Sequence, residues 1–160
     1  MAVASYEAII DGIAAILRSV DGIGKIAEID DLIGPTWTTL PKTHSAYWEI
    51  AFASEDQQGK SGAGRQLIER PVFTLNGLMP IHRETKSTRV WLSLVKRVCE
   101  ALRHSPTLES VVDGCDLPRI TRQDDQARAA VESVGEFACH HVTIELTVRQ
   151  FQADPDSVGG

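Results

Sequence analysis

No stretch of this chain approaches the roughly 18 consecutive apolar residues that a membrane-spanning helix needs. The opening MAVASYEAII also lacks the basic segment that precedes the apolar core of a secretory leader. Neither membrane insertion nor export is expected. Cysteine is scarce: Cys99, Cys115 and Cys139 form an odd, widely spaced trio, which suits reduced, structural thiols in a cytosolic protein better than a disulfide framework. There is no CxxC or HExxH pair, no GxSxG elbow, no internal repeat and no low-complexity tract. Preformed motifs for zinc or for nucleophilic hydrolysis are therefore missing.

What is present is ordinary in bulk and informative in pattern. A chain of 160 residues is long enough for one good core and too short for two typical ones. One α/β domain is expected, spanning residues 1–160 with a flexible tail over about 152–160. Hydrophobic residues make up 42% and charged residues 24% of the chain, which gives no reason to expect disorder along most of it. A formal charge of −6 argues against a protein that grips nucleic acid, because phosphate contacts need a dense basic surface.

Periodicity supplies the elements. Ile9, Ile13, Ile16, Leu17 and Val20 fall on one stripe of a helix over about Tyr6 to Val20, with Ser5 as cap and Asp21-Gly22 as stop. A short strand is expected at Lys25 to Ile29, then a surface segment through Gly34-Pro35 and Leu40-Pro41. Ala46 to Phe52 alternates, placing Trp48, Ile50 and Phe52 on one face and Tyr47 and Glu49 on the other. The polar, glycine-rich run EDQQGKSGAGR from Glu55 to Arg65 then reads as a long mobile hairpin loop, with the second strand resuming at Leu67 and continuing through Val72, Phe73 and Leu75. Pro71, with no N–H to donate, predicts a sheet edge or a bulge there.

A cationic amphipathic helix over Ser87 to His104 buries Trp91, Leu94, Val95, Val98 and Leu102, with Arg89, Lys96, Arg97, Glu100 and Arg103 elsewhere around it. Thr85 or Ser87 is its expected cap. Thr107 to Val112 reads as one further helical turn, Leu117 to Arg122 as a strand and Gln123 to Arg128 as a charged loop. Val142 to Phe151 closes the chain as a long strand with Val142, Ile144, Leu146 and Val148 inward and His141, Thr143, Glu145, Thr147 and Arg149 outward. Such alternation predicts a sheet covered on one face only, hence antiparallel. The fold class is α+β, a mostly antiparallel sheet of about four strands packed by two main helices.

The chemical candidates are weak. Ser54 to Ser61 resembles a phosphate-binding loop, but Ser54 replaces the first glycine of GxxxxGK[ST] and a strand follows instead of a helix. Cys139, His140 and His141 offer zinc-type donors, yet neighbours on a strand point to opposite faces, so only Cys139 and His141 share a side. His44 and His82 are isolated in loops. A small enzyme or ligand-binding domain would have to draw a pocket from His82, Cys139 or His141. The reading is of a non-enzyme with no cofactor or metal.

The order of helix, paired strands with a long intervening loop, amphipathic helix and long C-terminal strand resembles the tail terminator and tail completion proteins of long-tailed bacteriophages. The likeness is one of layout, over most of residues 6 to 151. Its local pieces are the helix ending in Val20-Asp21-Gly22-Ile23, the helix from Trp91 running into His104-Ser105-Pro106-Thr107-Leu108, and the strand Val142 to Phe151. The family often has an acidic residue where Ser105 stands. The resemblance implies a virion protein, commonly a hexameric ring, that caps the tail tube and meets the head–tail connector proteins while DNA passes through unbound. It makes Gln57, Gln58, Lys60 and Arg65 candidates for contact with tube or connector. Arg89, Lys96, Arg97, Glu145 and Arg149 become candidates for contact between subunits. A head–tail adaptor or stopper would share the size and the lack of catalysis.

Overall fold

A computed structural model describes residues 4–27, 32–33, 36–37, 45–55, 65–82, 84, 86–131 and 135–153. The first helix, α1, runs Tyr6–Arg18, and the Ser5 hydroxyl accepts from the Ala8 N–H at 3.1 Å. Ile9, Ile13, Ile16 and Leu17 are buried as their spacing demands, and Val20 is buried just past the end. The expected stop is there: Gly22 takes a φ of +76°, which only glycine adopts without strain.

Two-residue strands follow, β1 at Lys25–Ile26, β2 at Leu32–Ile33 and β3 at Thr36–Trp37. The segment expected to wander over the surface thus contributes a small ladder. The longer strands are β4 (Tyr47–Glu55), β5 (Arg65–Glu69) and β6 (Pro71–Pro80), after which α2 spans Ser87–Arg103. A two-residue β7 (Gly114–Cys115) precedes β8 (Arg119–Val131) and β9 (Gly135–Ala153).

The main sheet runs β1-β4-β6-β9-β8-β3-β2, with β5 and β7 also pairing β9. Its centre, β4-β6-β9-β8, is antiparallel throughout. The rims are not: β1 lies parallel to β4 and β3 parallel to β8. The α+β class and the two helices hold, while the sheet is mixed and larger than four strands.

β9 is the spine. Its 19 residues far exceed the five or six of an ordinary strand, because β6 and β8 flank its middle while β5 and β7 flank its C-terminal part. Val142, Ile144, Leu146 and Val148 are at most 1% exposed, and they meet Phe73, Leu75 and Met79 of β6, Trp48 of β4 and the buried stripes of both helices in one core. The ring of Trp48 stacks on that of Trp91 at 5.7 Å, and its Nε1 donates to the Ile23 carbonyl at 2.9 Å. Gly77 lies opposite Trp48 on β6, where a Cβ would come within 2.5 Å of the indole.

Several local expectations are corrected. The expected second strand is two: its part through Val72, Phe73 and Leu75 lies in β6 and pairs with β4 as expected, while its start at Leu67 lies in β5, which pairs with β9. Pro71 is the first residue of a central strand, not an edge residue, so its missing N–H falls where the ladder begins. The nearest irregularity is on the partner, between Phe52 and Ser54. Gln123 to Arg128 belongs to β8 and is not a loop, although the register shifts between Asp124 and Ala127.

The cap of α2 is Lys86 in a left-handed conformation with no side-chain cap bond. Ser87 is used otherwise: its Oγ accepts the His82 N–H and bonds His140 Nε2, both at 2.9 Å. The turn expected over 107–112 is present with the opposite hand. Leu108, Glu109 and Ser110 have φ of +50°, +60° and +72°, and the Val111 N–H returns to the Thr107 carbonyl at 3.0 Å. Leu108 is fully buried, so its packing offsets an unfavourable backbone of roughly 1–2 kcal/mol per residue.

Candidate interaction surfaces

Both helices cover the same face of the sheet, and among the described residues no helix covers the other, open face, whose polar side chains are largely half-buried. One end of this open face carries a small apolar cluster of Tyr47, Leu78 and Cys139, with Ala27, Ala127 and Phe137 against it. Beside it the pairing registers align polar residues in rows. Glu49 is opposite Asn76, Asn76 opposite Thr143 and Thr143 opposite Arg122. The Thr143 hydroxyl donates to Asn76 Oδ1 at 2.9 Å, and Arg122 Nε holds Asp124 at 2.6 Å. A second row joins Thr74, Glu145 and Arg119.

Neighbouring side chains shade this face enough to move its titrating groups. Burial raises the Glu49 carboxyl above the usual carboxylate range. Burial, then the nearby Arg122 charge, lowers His141 against a smaller opposing effect of Asp124. At the rim, Tyr6 donates its phenol proton to Glu55 Oε2 at 2.8 Å, which with partial burial pushes its ionisation up to about 12. Glu55 Oε1 accepts the Arg70 N–H at 2.7 Å.

The candidates for contact between subunits fall into three settings. Arg89 and Lys96 are exposed along α2, seven residues and hence two turns apart on one side of the helix. Arg97 is half-buried and donates to the Asp21 carbonyl. Arg149 lies 3.3 Å from Asp116 Oδ1, whose other oxygen holds Arg70 at 2.9 Å. These two cations are therefore engaged within the subunit. Glu145 is half-buried on the open face, between Thr74 and Arg119. Of the loop candidates, Gln57, Gln58 and Lys60 lie outside the described residues, while Arg65 begins β5 opposite Ala153.

The candidates for chemistry remain apart. Cys139 and His141 share the open face, whereas His140 points into the core and stacks on Trp91 at 6.3 Å. His82 lies at the entry to α2, and His44 is outside the described residues. Among the described residues no group of three His, Cys, Asp or Glu side chains converges on a metal-sized site. Burial pushes the thiols of Cys139 and Cys115 up to about 11 and about 12, and raises Cys99 as well. A pocket lined by Gly24, Lys25, Ser45 and Tyr47 brings no pair of catalytic groups together among the described residues.

Sequence reasoning missed the free rims of the sheet. Among the described residues β1 covers β4 at Tyr47 and Trp48, and β3 covers β8 at Ala130 and Val131. The signal was available in the mixed polar and apolar run Arg119 to Arg128, which suits an edge strand as well as a loop. No protein-family model matches this chain, and no curated protein matches it either.

Proposed function

We propose that this chain is a structural virion subunit, a tail terminator that closes into a ring on the end of a phage tail tube and joins it to the head connector. The observation that carries the reading is the layout. A capped helix, a β4–β6 hairpin with a long connection, an amphipathic helix and a 19-residue closing strand follow one another, the order that resembles this family. A polar sheet face, exposed Arg89 and Lys96, and two sheet rims incompletely covered among the described residues offer surfaces for partners. A head-to-tail ring needs two different patches on each subunit, and these features supply them. The acidic balance of −6 suits a lumen through which DNA passes without being held.

Light scattering on the purified protein, alone and with purified tail tubes, tests the reading. A closed ring, or a monomer that becomes one on the tube end, is expected. A monomer indifferent to tubes overturns it. Deleting Gln58 to Gly64 is expected to spare the ring and abolish tail joining, and tail joining by that deletion variant would remove the loop from the docking surface. Binding to DNA-filled heads before tubes would favour the adaptor or stopper instead.

A further inference from the structure

The two free rims of the sheet differ in chemistry. From Glu49 to Glu55, β4 has β6 on one side and no strand on the other among the described residues. The same holds for β8 from Arg119 to Ala129, whose sole strand neighbour there is β9. Unpaired N–H and C=O groups along such rims are templates for another strand. Each rim also shows apolar side chains to water: Phe52 is 43% exposed on β4, Ile120 43% on β8, and Leu117 73% just before it.

The charges are complementary. The polar row on the open face begins at one rim with Glu49 and ends at the other with Arg122. Glu49 is a half-buried carboxylate with no cation against it among the described residues. Arg119 is exposed and makes no ion pair there. Arg122 already holds Asp124, but a guanidinium has five donors and accepts a second carboxylate.

From these observations we infer that successive copies of this chain join rim to rim, β4 of one copy pairing antiparallel with β8 of the next, so that one sheet continues through the assembly. The inference rests on the ring reading above and names its seam. Strand directions require the antiparallel sense: β6 reverses β4, β9 reverses β6 and β8 reverses β9, so β8 runs against the β4 of a copy placed alongside in the same orientation. The register that sets Glu49 beside Arg122 brings Ile50 beside Ile120 and Ala51 beside Arg119, since the bulge after Ile120 takes up one residue. Phe52 then meets the Leu117–Pro118 stretch. Acid meets base on the open face, and apolar meets apolar on the core side.

Because the two rims are different surfaces, this contact is head to tail, and cross-linking distinguishes it from a two-fold contact. Cβ atoms directly opposite across antiparallel strands lie about 4.5–5.5 Å apart, close enough for a disulfide after slight adjustment. A full-length chain carrying both Ala51→Cys and Arg119→Cys is expected, on mild oxidation, to give a ladder of covalent oligomers ending at the ring number. Either substitution alone is expected to give none. Covalent dimers from a single substitution, or no ladder from the double variant while light scattering still finds rings, would overturn the seam and leave the ring reading standing. A wild-type chain that stays monomeric with and without tail tubes would remove both.

Charge reversal supplies the second arm. Arg122→Glu, at an exposed side chain whose only ion pair among the described residues is the surface one with Asp124, is expected to change the melting temperature of the monomer little and to raise the midpoint concentration for assembly about tenfold or more. Combining it with Glu49→Arg is expected to restore assembly. Unchanged assembly by Arg122→Glu would count against the seam, as would a double variant no better than the single one.

Discussion

Replacing Gly77 with alanine is expected to be among the most damaging single-methyl changes this chain admits. A Cβ at that position would lie 2.5 Å from Trp48 Cζ3 and 2.7 Å from both Cε3 and Cη2 of the same ring, far inside van der Waals contact. The indole is held on two further sides: it is fully buried, it stacks on Trp91, and its Nε1 donates to the Ile23 carbonyl. Overpacking of a tight core costs about 1–3 kcal/mol. Swinging the ring aside would orphan the indole N–H and its acceptor, a further penalty of about 1–3 kcal/mol. The expected loss is thus about 2–6 kcal/mol, or a fall in melting temperature of roughly 4–24 °C at the 2–4 °C per kcal/mol usual for this size.

The measurement is equilibrium unfolding in urea, followed by tryptophan fluorescence and far-ultraviolet circular dichroism. Gly22→Ala is the comparison, since Gly22 has φ +76° but no atom within 4 Å of the added methyl. That variant should show backbone strain alone, about 1–2 kcal/mol. Trp48→Leu should relieve the clash, so the pair should be non-additive by more than about 1 kcal/mol. A Gly77→Ala protein that loses less than about 1 kcal/mol, or a strictly additive pair, would refute the claim that the ring sits against the glycine and cannot yield.

Two further outcomes follow from the titrating groups. His141 has its folded pKa lowered by burial and by Arg122, so below about pH 6.5 the unfolded chain binds a proton that the folded one resists. Stability should therefore fall as pH drops from about 6.5 and level off below the folded pKa, and His141→Gln should flatten that part of a melting-temperature profile. An equal slope in the variant would assign it elsewhere. The thiols of Cys115 and Cys139, raised to about 12 and about 11 by burial, should resist iodoacetamide at pH 8 in the folded protein and react on addition of denaturant. Labelling at native rates typical of free cysteine would contradict the buried placement.

The core was legible because burial writes itself into the sequence as a period. Val142, Ile144, Leu146 and Val148 alternate since each faces the helices, and Trp91, Leu94, Val95, Val98 and Leu102 recur at helical spacing for the same reason. Around β8 this signal fails. Arg119 to Gln123 are exposed on both sides of the pleat, so no apolar period marks them. Their strand character comes from lying beside β9, a long-range pairing that local composition does not encode.

The left-handed turn at Leu108-Glu109-Ser110 was illegible for a related reason: it contains neither glycine nor asparagine. Its hand is imposed by tertiary packing of Leu108 and by the return of the Val111 N–H to Thr107. The Ser87 cap was misread because a hydroxyl at a helix start can serve another partner, here His140, 53 residues away. The candidate surface was partly legible. The outward set of Thr143, Glu145 and Arg149 came from alternation alone, but only the three-dimensional pairing shows that Asp116 engages Arg149 and that Glu49 and Arg122 terminate one row at opposite rims.

That last arrangement bears on how the rims are to be read. Proteins protect bare sheet edges with charge, bulges and short neighbouring strands, and every one of those devices occurs here: Glu49 and Arg122, the irregularities in β4 and β8, and the two-residue β1 and β3. Protection alone would be served by like charges on both rims, which keep two copies apart. Opposite charges at the two ends of one row do something different. They repel the pairing of a rim with itself and favour the pairing of unlike rims, which allows extension around a ring and discourages two-fold dimers. The bulge in β8 has the same selectivity, since it fixes which residue of an incoming β4 lies beside Arg122. The devices that keep a lone copy from aggregating are thus the ones that set direction and register when copies meet.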